Sequence, residues 1–194
     1  MSSAIVLPSL TEWAQERLKT ILTATTEADF DAAFDAFVIK QDAHITFNGH
    51  HVSRDAYKKQ MLGESAVGGL KQSAEVAFGG AVSVSANKAV PTDSEVRSPL
   101  LAYYGIETNY KLLQAGVVGI FYTSTIFLTL KFFGASEETK VNSSLNITVI
   151  QDTSIPEPTG PIRGDVDRRR VQTVNQIFTE AAVPNILPRP PVAA

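Results

Sequence analysis

Residues 116–133 constrain the fold of this 194-residue chain more than any other segment. They alternate between apolar residues and a set rich in threonine, which is the period-two pattern of a strand with one buried face. Because of its polar interruptions and Lys131, the segment falls short of the roughly 20 apolar residues that cross a membrane. We therefore predict one long strand with its even-numbered face inward, comprising Val118, Ile120, Tyr122, Ser124, Ile126, Leu128, Leu130 and Phe132.

Two other segments are predicted to be long strands in the same sheet. After a turn over 134–139, residues 141–152 alternate, with Leu145, Ile147 and Val149 on the buried face. Residues 74–86 alternate as well, and Gly79-Gly80 in their middle indicates a bulge or a bend. On this strand we expect one buried face made of Val76, Phe78, Val82 and Val84.

Helix signals come before these strands. Ser9 and Glu12 have capping-box spacing, which predicts a helix from there to about residue 23. Thr26 begins a second helix, and its buried stripe is Phe30, Ala33, Phe34, Phe37 and Val38. A strand containing Ile45 and Phe47, a turn at Asn48-Gly49 and a third helix from Ser53 to about residue 62 follow.

The end of the chain is predicted to add a helix. Residues 153–164 hold three prolines and indicate an extended connector. Residues 165 to about 182 have apolar residues at helical spacing: Val171, Val174, Ile177, Phe178 and Ala181. We thus expect one domain over 1–194, with its core at about 9–152, the connector at 153–164, and a C-terminal helix and tail at 165–194.

Composition excludes several classes of function. The chain has no cysteine, which removes disulfide frameworks, thiolate metal sites and cysteine nucleophiles. Its net charge of −3 does not favour binding to nucleic acid or to an anionic membrane. The first residues lack the basic region of a signal peptide. We expect a cytoplasmic protein without a cofactor, a nucleic-acid partner or a membrane partner.

A resemblance to a known superfamily rests on the predicted element order and on three stretches of sequence. The order is helix, helix, strand, helix and then long antiparallel strands. The stretches are Phe47-Asn48-Gly49 followed by Ser53-Arg54-Asp55-Ala56-Tyr57, then Ala115-Gly116-Val117-Val118-Gly119-Ile120-Phe121-Tyr122, and Asp167-Arg168-Arg169-Arg170-Val171 with Asn175-Gln176. Together they resemble the NTF2-like superfamily, which includes the SnoaL-like proteins, and the third stretch is similar to an extension of uncharacterised fungal members. The resemblance implies an α+β cone, in which a curved antiparallel sheet surrounds a cavity and the N-terminal helices cover its concave face. It implies no particular reaction, because this fold hosts enzymes, binders and adaptors.

Candidate site residues are polar groups near the predicted cavity. Tyr122 and Ser124 interrupt an apolar face beside Ile120, and Tyr104 belongs to a tyrosine-rich segment that can act as a lid. Enzymes of this superfamily use acid–base groups, and our candidates are His50, Asp55, Asp42 and His44. Each also has a structural interpretation, such as a solvated turn, a helix N-terminus or the outer sheet face. No spacing of histidines and acids indicates a metal site.

Two functions remain open from the sequence. The first is binding of an apolar or aromatic small molecule, with or without cofactor-independent isomerase, dehydratase or cyclase chemistry. The second is a non-catalytic role in homodimerisation or protein interaction through the outer sheet face, which carries Phe121 and Phe127. In the second case, the predicted C-terminal helix competes with the partner for this face.

Overall fold

The computed structural model describes residues 8–65, 71–86, 115–132, 135–156 and 167–182. Within these ranges the fold is α+β, with three helices and a six-stranded sheet. The elements in chain order are α1 (Leu10–Thr23), α2 (Glu27–Phe37), β1 (His44–Phe47), β2 (His50–Val52), α3 (Arg54–Ser65), β3 (Lys71–Ser85), β4 (Gly116–Phe132), β5 (Ala135–Gln151) and β6 (Arg169–Ala182). Tyr104, most of the proline-rich connector and the tail after residue 182 lie outside the described residues.

The three helices begin at the predicted caps. The Ser9 hydroxyl accepts a hydrogen bond from the backbone N–H of Glu12, whose carboxylate accepts one from the N–H of Ser9, which completes the capping box. Thr26 caps α2 through the N–H of Asp29, and Ser53 caps α3 through the N–H of Ala56. Every residue of the predicted stripe of α2 is buried. The predictions of these three helices are confirmed, and α3 extends three residues further than expected.

The sheet has the strand order β2-β1-β6-β5-β4-β3. Neighbouring strands are antiparallel except β1 and β6, which are parallel. The expected purely antiparallel sheet is therefore wrong, and the sheet is mixed. The turn expected over 134–139 is also wrong, because β5 already begins at Ala135.

The predicted C-terminal helix is in fact β6, which lies between β1 and β5. Val171 pairs with Val149 and Thr173 with Thr148, so Gln172 is an extra residue in the strand. This bulge puts the buried residues Val171 and Val174 three apart, which is the spacing of a helix face. Since β6 is in the middle of the sheet, the core extends well beyond residue 152.

A second bulge corrects the predicted face of β3. Phe78 pairs with Tyr122, but Gly80, and not Gly79, pairs with Phe121. One extra residue moves all later side chains to the opposite face of the sheet. Val82 and Val84 are therefore 71 % and 67 % exposed instead of buried, while Val76 and Phe78 before the bulge remain half-buried.

The core lies between the helices and one face of the sheet, which we call the inner face. The predicted inward residues of β4 and β5 whose side chains are described are buried there: Val118, Ile120, Tyr122, Ser124, Ile126, Leu128, Leu145, Ile147 and Val149. The side chains of Leu130 and Phe132 lie outside the described residues. Aromatic residues of α1 and α2 pack against them: Trp13, Phe30, Phe34 and Phe37. A smaller cluster of Ile126, Leu128 and Val141 contains no residue of the three helices. None of these helices has the length and hydropathy needed to cross a bilayer.

Candidate functional site on the inner sheet face

Strand register arranges the inner face into rows that cross four strands. One row runs Phe78, Tyr122, Ser143 and Phe178 from β3 to β6. The adjacent row runs Val76, Ser124, Val141 and Glu180 over the same strands. We call these the tyrosine row and the serine row. They bring together Tyr122 and Ser124, the two polar residues that the sequence places on the apolar face.

A chain of buried hydrogen bonds is centred on Gln176, which pairs with Leu145 in the row beside the tyrosine row. The hydroxyl of Tyr57, from α3, donates to Gln176 Oε1 at 2.6 Å. Gln176 Nε2 donates to the hydroxyl of Tyr122 at 2.9 Å and to Ser143 Oγ at 3.0 Å. Gln176 is completely buried, so these bonds supply the polar partners that its amide needs away from water. The chain ties α3 to the middle of the sheet and holds the Tyr122 ring in place.

Ser124 differs from its polar neighbours. Its side chain is 1 % exposed, and its Oγ has no hydrogen-bond partner within the part of the chain that the structure describes. A buried polar group left without a partner costs about 1–3 kcal/mol. The hydroxyl is therefore a buried hydrogen-bonding group for which the described residues supply no partner.

Half-buried aromatic side chains lie at both ends of the tyrosine row. The ring of Phe78 lies 6.5 Å from that of Tyr122, and Phe178 packs on Phe47 at 4.8 Å between ring centroids. Phe78 and Phe178 are only partly buried. Hence part of the apolar surface beside the polar groups remains accessible.

The opposite sheet face, which we call the outer face, has a shallow hollow of about 380 Å³. Most of its lining side chains alternate with the buried ones and point outward: Phe121, Thr123, Asn142, Ser144, Ile177 and Thr179. Phe121 and Ile177 are 61 % and 60 % exposed. Although Tyr122 also borders this hollow, its side chain belongs to the inner face. This hollow is therefore not the predicted cavity within a cone.

None of the four predicted acid–base residues is buried with Tyr122 and Ser124. His44, His50, Asp42 and Asp55 are all exposed. Asp42 has a positive φ of 58° in the loop before β1, and Asp55 lies in the first turn of α3. No hydrogen bond given for the described residues joins any of the four to Tyr122 or Gln176. The structure thus brings together Tyr122, Ser124 and Ile120 but none of the acid–base candidates.

Sequence reasoning missed three residues of this site: Tyr57, Gln176 and Glu180. Gln176 and Glu180 were assigned to a helix, where their spacing does not place them beside Tyr122. The signal available was the β-branched content of 171–177, which favours a strand over a helix. Tyr57 lies on the buried side of α3 beside the ring of Phe34 and gave no polar signal of its own.

A second polar cluster, the Asp167 corner, joins α1 to the start of β6. Asp167 accepts hydrogen bonds from Trp13 Nε1 at 2.6 Å, Arg17 at 3.0 Å and Arg169 at 3.0 Å. Burial by itself would raise the pKa of Asp167, but the Arg169 and Arg17 hydrogen bonds and charges outweigh it and lower the pKa to about 2. Arg169 is 3 % exposed and stacks over Trp13. All the polar groups named here have protein partners, so the cluster is structural.

Within the described ranges, no group of three or more histidine and acidic residues is arranged to hold a metal ion. Comparison of the chain with family models, with curated proteins and with solved structures gave no match in any of the three.

Proposed function

We propose that this chain binds a small apolar or aromatic molecule against the inner sheet face, with a ligand oxygen hydrogen-bonded to Ser124. The observation that carries the proposal is the buried Ser124 Oγ without a partner among the described residues, next to the fixed Tyr122 ring. A ligand oxygen there supplies the missing hydrogen bond. Half-buried Phe78 and Phe178 supply apolar contact area.

The element order supports an NTF2-like fold for this binding protein. Two helices, a hairpin, a third helix and long antiparallel strands occur in the order on which the resemblance rests. The proposal is one of binding and not of turnover, because the four acid–base candidates lie apart from Tyr122 and Ser124.

The test compares two probes that differ by one hydroxyl, 4-ethylphenol and ethylbenzene, in NMR titrations of the ¹⁵N-labelled protein. One net hydrogen bond contributes about 0.5–1.5 kcal/mol, so 4-ethylphenol should bind about two- to tenfold more tightly. Ser124→Ala should abolish that difference. Thr123→Ala, on the outer face of the same strand, is the matched control and should retain it.

Equal binding of the two probes by the native protein would contradict the proposal. So would an unchanged preference in Ser124→Ala. NMR chemical-shift changes at the outer hollow instead of the serine row would show that the probe binds to the outer face and would also contradict the proposal.

A second candidate function is homodimerisation through the outer face. Its large exposed apolar residues are Val82, Val84, Val117, Phe121 and Ile177. The helix expected to cover this face does not exist, because residues 169–182 form β6 inside the sheet. A second copy of the chain offers the same patch and can cover it by two-fold symmetry.

Sedimentation velocity at tens of micromolar tests this second candidate. The native chain should sediment as a dimer, and Phe121→Asp should shift it to monomer, because a buried phenylalanine contributes about 1.5–3 kcal/mol in each half of the interface. Glu16→Gln, an exposed change on α1, should leave the dimer intact. A monomeric native protein at these concentrations would exclude the dimer.

A further inference from the structure

The register of β5 and β6 places a carboxylate on the inner face. Glu180 pairs with Val141, which pairs with Ser124, and Val141 is 2 % exposed. The only register shift between β5 and β6 precedes Thr173, so Gln176, Phe178 and Glu180 share one face. Glu180 is therefore the last residue of the serine row.

Glu180 stands at the exposed end of a row whose other polar residue is buried. It is exposed, while Ser124 is 1 % exposed. The two residues are two strand spacings apart, which is about 10 Å between backbones. The edge of β6 that faces away from β5 pairs with β1 only as far as Gln176. Two residues further along β6, the backbone N–H of Phe178 donates a hydrogen bond to the side chain of Asn48. The row thus leads from a buried hydroxyl to an exposed carboxylate near the end of the β1 pairing.

Glu180 has no charged neighbour on the inner face among the described residues of β4, β5 and the second half of β6. Among inner-face side chains described at 116–128, 138–150 and 174–180, it is the only carboxylate, and none of them is an amine or guanidinium. Lys140, a neighbour of Val141, belongs to the outer face because it pairs with Thr125. A carboxylate beside the aromatic pair Phe47 and Phe178 favours a cation, through its own charge and through the faces of the rings.

We propose that the ligand class of this site is a small aromatic molecule with a hydroxyl at one end and a protonated amine at the other. The hydroxyl binds Ser124, and the ammonium group faces Glu180. This inference rests on the proposed function, since it takes the Ser124 end of the site as given. It adds the charge of the ligand and its orientation along the row.

Tyramine and 4-ethylphenol test the charge, because they differ only by the amine. In the same NMR titration at low salt, tyramine should bind the native protein about two- to fivefold more tightly than 4-ethylphenol, the range of an exposed ion pair. Glu180→Gln should remove this gain and leave the affinity for 4-ethylphenol unchanged. Glu75→Gln, an exposed carboxylate change on the opposite face of the sheet, should retain the gain.

The outcomes separate this inference from the proposed function. If 4-ethylphenol binds in a Ser124-dependent way but tyramine binds no more tightly, the cationic ligand class is wrong and the binding function stands. A tyramine gain that persists in Glu180→Gln also overturns the inference. If 4-ethylphenol shows no preference that depends on Ser124, both proposals fail.

Discussion

The Asp167 corner and the serine row are two polar regions at opposite ends of β6, and they have opposite properties. At the corner, Asp167 holds Trp13, Arg17 and Arg169 together, and each of these bonds is made within the protein. In the serine row, Ser124 is as deeply buried as Arg169 but has no partner among the described residues. A polar group in a fold gives stability when its partner is internal. A buried polar group without an internal partner lowers stability. For Ser124 we infer that this loss is offset by a role in binding.

The largest expected effect is at the corner. Asp167→Ala leaves the buried Arg169 without its carboxylate and should destabilise the protein by about 3–5 kcal/mol. Urea unfolding followed by circular dichroism measures it, with Glu16→Gln as an exposed control that should change little. A loss below 1 kcal/mol would mean that the corner contributes no more than a surface ion pair.

The intermediate effect compares two serines of the inner face, Ser124 and Ser143. Ser143→Ala removes an acceptor of the buried Gln176 amide, and should destabilise by about 1–3 kcal/mol. Ser124→Ala removes a hydroxyl without a described partner, and should leave the stability unchanged or raise it by up to about 1–3 kcal/mol. The urea midpoint, measured without ligand, should therefore fall in Ser143→Ala and stay the same or rise in Ser124→Ala. A marked loss in Ser124→Ala would show that its hydroxyl stabilises the unliganded fold.

The smallest effect is a pH dependence. The pKa of Asp167 is lowered from 3.8 to about 2, so its carboxylate adds stability that is complete above pH 4 and is lost as the pH falls toward 2. The pKa of Asp152 is also lowered, by its Ser154 hydrogen bonds, so part of the acid slope does not come from Asp167. Asp167→Asn should lose less stability than the native protein between pH 4 and pH 2. Unfolding midpoints across this window measure the difference, and parallel slopes would contradict it.

The helical half of the fold follows from local sequence. Ser9, Thr26 and Ser53 cap the helices at the predicted positions, because each cap bonds to an N–H only three residues away. The alternation in β4 likewise predicts its buried face, since period two needs no knowledge of the partner strand. The turn of the first hairpin also follows, because Asn48 and Gly49 both adopt positive φ.

The bulge at Gly79-Gly80 is one of the two structures that the local sequence predicts, but its effect on the later side chains did not follow from local sequence, and neither did the bulge at Gln172. Gln172 and the Gly79-Gly80 pair each insert one residue against a partner strand that is distant in sequence. Whether a residue is paired or extra depends on that partner strand. Without it, the sequence of 169–182 is compatible with a helix, and Val82 and Val84 are predicted on the buried face instead of the exposed one.

The sequence by itself determined three capped helices, the strands β3, β4 and β5, and the polar interruption at Tyr122 and Ser124. Only the tertiary structure placed β6 between β1 and β5, and so brought Gln176 to Tyr122 and Glu180 to the row of Ser124. The physical reason is the separation along the chain of the residues that interact. Caps and alternation depend on atoms a few residues apart, whereas Gln176 is 54 residues from Tyr122, and their contact exists only once the sheet has assembled.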